Sequence, residues 1–185
     1  MRKVIVACTA VAWLTSAAAQ QGPGLGVPAT AEQVAGWDVS IAPDGAGLPQ
    51  GSGTAAAGKT VYDAKCLACH GAEGAGRPND VLVGGQGTLR EAAPIRTIGS
   101  YWPYATTVFD YIRRAMPYVT PHSLTADETY AVTAYLLALN GVIAEGDVMN
   151  AMTLPKVVMP NRANFDSAYR EPRRRCRRSD RSASS

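Results

Sequence analysis

Histidine and cysteine are scarce in this chain. Its 185 residues include two histidines, His70 and His122, and four cysteines. A structural zinc site normally takes four Cys or His ligands. Apart from Cys66, Cys69 and His70, only His122 and Cys176 remain in the expected mature chain, so the sequence disfavours a zinc cluster.

Long apolar segments are also missing. The apolar run Val4–Leu14 is too short to span a bilayer comfortably. It follows a short basic start and precedes small residues ending in an A-x-A pattern at Ala19, which is typical of a secretory signal. An uncleaved membrane anchor is the alternative. We expect cleavage before Gln20, no membrane span in the mature chain and a periplasmic protein.

The positive charge belongs to the ends of the chain. The net charge is +3, yet residues 20–171 hold ten basic and fourteen acidic residues. Residues 172–185 hold six arginines and one acid, a pattern typical of a disordered tail. The basic pI therefore gives no reason to expect nucleic-acid binding. Cys176 in this tail is a free thiol, an intermolecular partner or the product of an aberrant reading frame.

Strand patterns of any length and internal repeats are absent from the sequence. Helical spacing instead predicts a helix over Thr54–Cys69 and a second over Thr106–Met116, which Pro117 ends. A chain with so few long apolar stretches has a modest core, and a buried cofactor would enlarge it.

The third predicted helix carries the clearest end signals. Thr125 with Glu128 forms a capping box, and Asn140-Gly141 ends the helix. A glycine and two tyrosines suggest that the first and third helices cross closely; they are Gly58, Tyr62 and Tyr135.

The strongest chemical signal is Cys66-Leu67-Ala68-Cys69-His70. Two thiols three positions apart can add to the two vinyl groups of haem, and the adjacent histidine can bind the iron. A thioredoxin-like redox pair would be expected near a βαβ pattern, and none is visible. The motif therefore predicts one covalently bound haem c with His70 as an axial iron ligand.

A second axial ligand must come from elsewhere in the chain. Methionine thioether is the usual partner of histidine in cytochromes c, and Met116 lies where a helix meets Pro117. We expect Met116 to be this ligand. The other candidates are Met149, Met152, Met159 and His122.

Buried haem propionates need hydrogen-bond donors. Trp102 is the best candidate because its indole N–H lies on an apolar body, and Gln86 is a second. Further candidates are Tyr101, Arg113 and Arg114, and the two arginines equally suit a solvated helix face.

Several segments together resemble a known cytochrome family. They are Trp37–Ser40, Pro43–Gly45, Gly47–Pro49, Gly51–Gly53, Gly84–Leu89, Gly99–Ala105, Tyr111–Pro117, Ser123–Thr125, Tyr130–Leu136 and Pro160–Arg162. Over roughly residues 30–165 the chain resembles the cytochrome c subunit of sulfur dehydrogenase from the periplasmic thiosulfate-oxidising (Sox) system, and haem subunits of sulfite dehydrogenases.

The resemblance implies an all-α, class I cytochrome c fold with three main helices around one haem. It also implies electron transfer from a molybdenum-containing sulfur or sulfite dehydrogenase subunit to a downstream cytochrome. Such a subunit has no substrate chemistry of its own. By this resemblance, Cys66 and Cys69 are expected to attach haem, His70 to be the proximal iron ligand and Met116 to be the distal one.

Two features depart from the family pattern. The full sulfur dehydrogenase subunit resembles a two-haem protein, whereas this chain has one C-x-x-C-H motif. The family also commonly places a proline shortly before its Leu-x-Gly-Gly-Gln run, and a proline carbonyl usually orients the ligand histidine. Here Asp80 occupies that neighbourhood and Pro78 lies earlier, so the sequence leaves the partner of His70 open.

The sequence thus predicts a cytochrome c domain between two irregular arms that we expect to dock a dedicated electron donor. The alternative hypotheses are that the protein is a general respiratory electron shuttle, or a haem-based sensor or ligand-binding module. The expected segments are a signal peptide (1–19), an N-terminal arm (20–53), the cytochrome c domain (54–141), a C-terminal arm (142–171) and a disordered arginine-rich tail (172–185).

Overall fold

The computed structural model describes residues 25–165. The predicted signal peptide and arginine-rich tail, with Cys8 and Cys176, lie outside these residues. Residues 25–38 form a separate unit that contains helix α1 (Ala31–Trp37). The helix begins with a capping box in which Thr30 and Gln33 exchange side chain–backbone hydrogen bonds. The expectation that residues 20–53 are wholly irregular was therefore wrong here.

The first predicted helix is divided in two. Helix α2 spans Ala55–Lys65 and is capped by the Thr54 hydroxyl, and helix α3 spans Leu67–His70. Cys66 separates them because its backbone (φ −121°, ψ −33°) leaves helical geometry. The two helices thus meet within the Cys66–His70 motif.

The second predicted helix is confirmed as α4, Ala105–Ala115. Met116 follows it in an extended conformation (φ −120°, ψ 147°). A residue before proline is driven out of helical geometry by the proline ring, so Pro117 accounts for this end.

The third predicted helix is confirmed as α5, Ala126–Leu139. Both bonds of its capping box are present: Thr125 N donates to Glu128 Oε2 at 2.9 Å, and Glu128 N donates to Thr125 Oγ1 at 3.2 Å. Gly141 follows with φ 67°, as expected for a glycine after a helix end. Residues 129–137 of this helix are all buried, which makes α5 the centre of the fold.

The predicted close crossing of α2 and α5 is confirmed. A Cβ atom added to Gly58 would lie 1.9 Å from the carbonyl oxygen of Ala131, so only glycine permits this approach. Beside it, the rings of Tyr62 and Tyr135 pack with centroids 5.4 Å apart.

Two short strands correct the expectation that the chain has none. Strand β1 (Ser52–Thr54) pairs antiparallel with β2 (Val148–Asn150), with Gly53 opposite Met149. Each strand has three residues, which is too short for an alternating pattern to be recognised.

The segment after α5 belongs to the core. Met149, Leu154 and Met159 are buried and join the same hydrophobic cluster as the helices. Within residues 25–165, none of the helices has the length and hydrophobicity required to cross a membrane.

Candidate functional site

A cavity of about 390 Å³ brings the predicted chemical residues together. Cys66, Cys69 and His70 lie on its wall with Met116. Most of the other lining side chains are apolar or aromatic and come from the segment between α3 and α4, from α4 and from α5; they include Val81, Leu82, Ile98, Trp102, Val108, Tyr111, Ile112, Val132 and Leu136.

The two thiols differ in exposure. Cys66 is half-buried and Cys69 is exposed, and neither forms a disulfide. Burial raises the pKa of the Cys66 thiol to about 11, so without an attached group it is protonated at neutral pH. Both thiols face one cavity, which suits a group attached at two points.

His70 is oriented by a backbone carbonyl. Its Nδ1 lies 2.9 Å from the carbonyl oxygen of Asp80. Because a carbonyl can only accept, Nδ1 carries the proton in this bond and Nε2 is left as the metal-binding nitrogen. The carbonyl therefore comes from Asp80, where the family pattern leads one to expect a proline.

The loop after the motif folds back to supply that carbonyl. Gly76 N donates to the carbonyl of His70 at 2.8 Å, and Asn79 N donates to the carbonyl of Cys69 at 2.9 Å. Backbone hydrogen bonds thus hold Asp80 beside the imidazole.

Of the candidates for the second axial position, Met116 alone lines this cavity. Met149 and Met159 are buried elsewhere in the core, and Met152 is 75% exposed. His122 is also exposed. A thioether and an imidazole in one apolar cavity form the donor pair that cytochromes c use to hold iron.

The uncharged residues predicted to donate hydrogen bonds to the haem propionates line two different cavities. Trp102 lines the cavity and packs against Tyr111, with ring centroids 5.7 Å apart. Gln86 and Tyr101 instead line a second cavity, and Gln86 Nε2 donates to the carbonyl of Asn140 at 3.2 Å. The position of Gln86 does not fit the expected haem contact.

Two basic residues of the cavity wall were missed by the sequence reasoning, Lys65 and Arg96. Lys65 is paired with Glu128, with its Nζ 2.7 Å from Oε1, whereas Arg96 offers guanidinium donors suited to a carboxylate. In the sequence Arg96 is only an isolated basic residue in a loop before Trp102, and such a residue does not by itself indicate a binding site. Arg114, by contrast, pairs with Asp110 on α4 and does not line the cavity.

The residues present fit a covalently held haem. The cavity combines two thiols, an oriented imidazole, a thioether, apolar walls and a guanidinium. Within residues 25–165 no group of three or more Cys, His, Asp or Glu side chains is placed to hold a metal ion.

The fold and this donor set define a cytochrome c, and the comparisons agree. The cytochrome c family model matches residues 55–140. A search of curated proteins found no match.

Among solved structures, the chain is similar to one in the crystal structure of the sulfane dehydrogenase SoxCD from Paracoccus pantotrophus. The two are 42% identical with a TM-score of 0.74, over 78% of this chain and 71% of the other. The chain belongs to the cytochrome c family, has the class I cytochrome c fold and an electron-transfer role, and resembles a SoxCD subunit.

Proposed function

We propose that this protein is a periplasmic cytochrome with one haem c, which accepts electrons from a molybdenum-containing sulfur or sulfite dehydrogenase subunit and passes them to a downstream cytochrome. The observation that carries the proposal is the shared cavity of Cys66, Cys69, His70 and Met116.

Each of these residues has a distinct role. Cys66 and Cys69 attach the haem through thioether bonds, and His70 and Met116 bind its iron from the imidazole nitrogen and the thioether sulfur. The bound haem supplies one-electron Fe(III)/Fe(II) chemistry. The Asp80 carbonyl fixes the imidazole tautomer, and the apolar walls exclude water from the thioether.

Trp102 is proposed as a partner of a haem propionate. It lines the cavity, and its indole N–H can donate to a carboxylate.

The proposed donor is supported by similarity over most of the chain. The match to SoxCD covers 78% of the residues and so extends beyond residues 55–140, where the cytochrome c model fits. A sulfane dehydrogenase oxidises a sulfur compound, so its cytochrome partner receives electrons from that oxidation. The secretory signal predicted for residues 1–19 supports a periplasmic location.

Reduction of the haem by a purified molybdenum dehydrogenase tests this function. The oxidised, haem-loaded protein is mixed with the enzyme recovered with it from periplasm, and sulfite or thiosulfate is added. We expect the reduced haem spectrum only when enzyme and sulfur compound are both present. A mitochondrial cytochrome c serves as control acceptor and should be reduced more slowly.

The donor assignment is wrong if no molybdenum enzyme is recovered and neither sulfur compound reduces the haem. Equal rates for the two cytochromes would instead indicate a general electron shuttle.

A further inference from the structure

A second, larger cavity lies beside the haem-binding cavity. Its volume is about 790 Å³, within the range of small-molecule sites. The loop over residues 86–101 and the C-terminal segment 160–165 form its walls.

Among residues 25–165, the charged side chains that line this cavity are of one sign. They are Arg90 and Arg96, and no acidic side chain of these residues lines it. Neither arginine forms an ion pair with any residue between 25 and 165. Two guanidinium groups without an acidic partner in the described part of the chain favour an anion.

Polar side chains of the cavity wall already form hydrogen bonds within the fold. Asn161 Nδ2 donates to the carbonyl of Tyr101 at 2.8 Å, and Ser100 Oγ donates to the carbonyl of Ile95 at 2.7 Å. These bonds fix the wall in place, so the guanidinium groups are the main polar groups left for a ligand.

The remaining wall is apolar or aromatic. Tyr101 and Phe165 meet edge to face with ring centroids 5.5 Å apart, and the Arg96 guanidinium lies 5.7 Å from the Tyr101 ring centre. Leu89, Pro94 and Pro160 complete this surface. It suits the hydrocarbon part of a ligand better than a bare inorganic ion.

We propose that this second cavity binds an organic carboxylate with an apolar or aromatic body. Arg90 and Arg96 bind the carboxylate, and the surface of Leu89, Tyr101 and Phe165 covers the hydrocarbon part. The chain's own residues 172–185 are a poor occupant because they carry six arginines of the same charge.

Occupation of this cavity is linked to the haem site through one side chain. Arg96 lines both cavities. A carboxylate bound to its guanidinium offsets a positive charge near the haem and favours the oxidised iron. The haem midpoint potential should therefore fall when the second cavity is filled.

Benzoate and its neutral analogue benzyl alcohol are suitable probes. Calorimetry with the haem-loaded protein at constant ionic strength measures binding of each. We expect saturable one-to-one binding of benzoate, and binding of benzyl alcohol that is weaker by about tenfold or more. Arg90→Gln and Arg96→Gln should each weaken benzoate binding by a similar factor.

Lys156→Gln is the matched control, because it removes one exposed positive charge outside the cavity. It should leave benzoate binding unchanged. Equal affinity for the two probes, no saturable binding, or an equal loss in the lysine variant would overturn the proposed site. A midpoint potential unchanged at saturating benzoate would overturn the link through Arg96. The binding result does not depend on which protein donates electrons.

Discussion

The residue that defines the site most sharply is His70. The sequence identified it through its place after Cys69, but its partner could not be predicted. The partner is the backbone carbonyl of Asp80, and every residue has such a carbonyl. Only the folding of the loop after the motif decides which one faces the imidazole.

Met116 gives a direct prediction at this scale. Met116→Ala should keep its haem through Cys66 and Cys69 but lose the long-wavelength thioether–iron absorption band of the oxidised protein. Its midpoint potential should also fall, because methionine ligation raises the potential. Absorption spectra and a redox titration measure both effects.

Met152→Ala is the control for that variant, since Met152 is 75% exposed and outside the cavity. It should retain both the band and the potential. A band that survives in Met116→Ala would show that another residue binds the iron.

Among single residues, Arg96 and Gln86 show that the sequence does not predict which loop side chains line the haem cavity. Gln86 was chosen as a hydrogen-bond donor, but its side chain lines the second cavity. Arg96 was overlooked because a loop arginine has no sequence pattern that distinguishes it from a solvated one. Their positions depend on loop conformation, which spacing does not encode.

At the scale of elements, the close crossing of α2 and α5 depends on Gly58, which has no side chain. Gly58→Ala would place its Cβ 1.9 Å from the Ala131 carbonyl oxygen, so the two helices would have to separate. We expect a loss of at least about 2 kcal/mol in the free energy of unfolding, measured by urea denaturation. Gly146→Ala, which meets no atom within 4 Å, should cost almost nothing. Similar losses in both variants would contradict this account of the crossing.

The cap of α5 gives a pH-dependent prediction. The Lys65 ammonium, followed by the Thr125 backbone N–H, lowers the pKa of Glu128 below its usual 4.5. A lowered pKa in the folded state means that the stabilisation is complete above the unfolded value and is lost as pH falls through the folded one. Glu128→Gln should therefore be less stable near neutral pH, and its stability should depend less on pH below about 4.5.

Chemical denaturation at several pH values measures this effect. Glu145→Gln is the control, because Glu145 is exposed and forms no ion pair with a described residue. It should retain the full acid dependence. If Glu128→Gln retains it too, the ion pair does not stabilise the folded state.

Helices with strong end signals were the most predictable elements. The capping box of α5 and the proline after α4 are local, and both helices formed as expected. The break at Cys66 has no proline or glycine to mark it. The pairing of β1 with β2 joins residues almost a hundred positions apart, which local patterns do not reveal.

For the whole molecule, the segment after α5 proves to be part of the core. Residues 142–171 were expected to be an irregular docking arm, yet the side chains of Leu154 and Met159 are almost completely buried. Leu154→Ala should cost about 2–5 kcal/mol of unfolding free energy, whereas Met152→Ala should change it by less than about 0.5 kcal/mol. Urea denaturation of the haem-loaded protein tests this. A small loss in Leu154→Ala would mean that the segment does not stabilise the domain.

The central claim is that one haem is covalently held at the cavity of Cys66, Cys69, His70 and Met116. Mass spectrometry of proteolytic fragments from the protein, produced with a c-type haem maturation system, tests it most directly. We predict that the fragment containing Cys66 and Cys69 carries one haem, that no other fragment carries any, and that acidified organic solvent does not remove it. A fragment that carries no haem, or haem that the solvent extracts, would contradict the account.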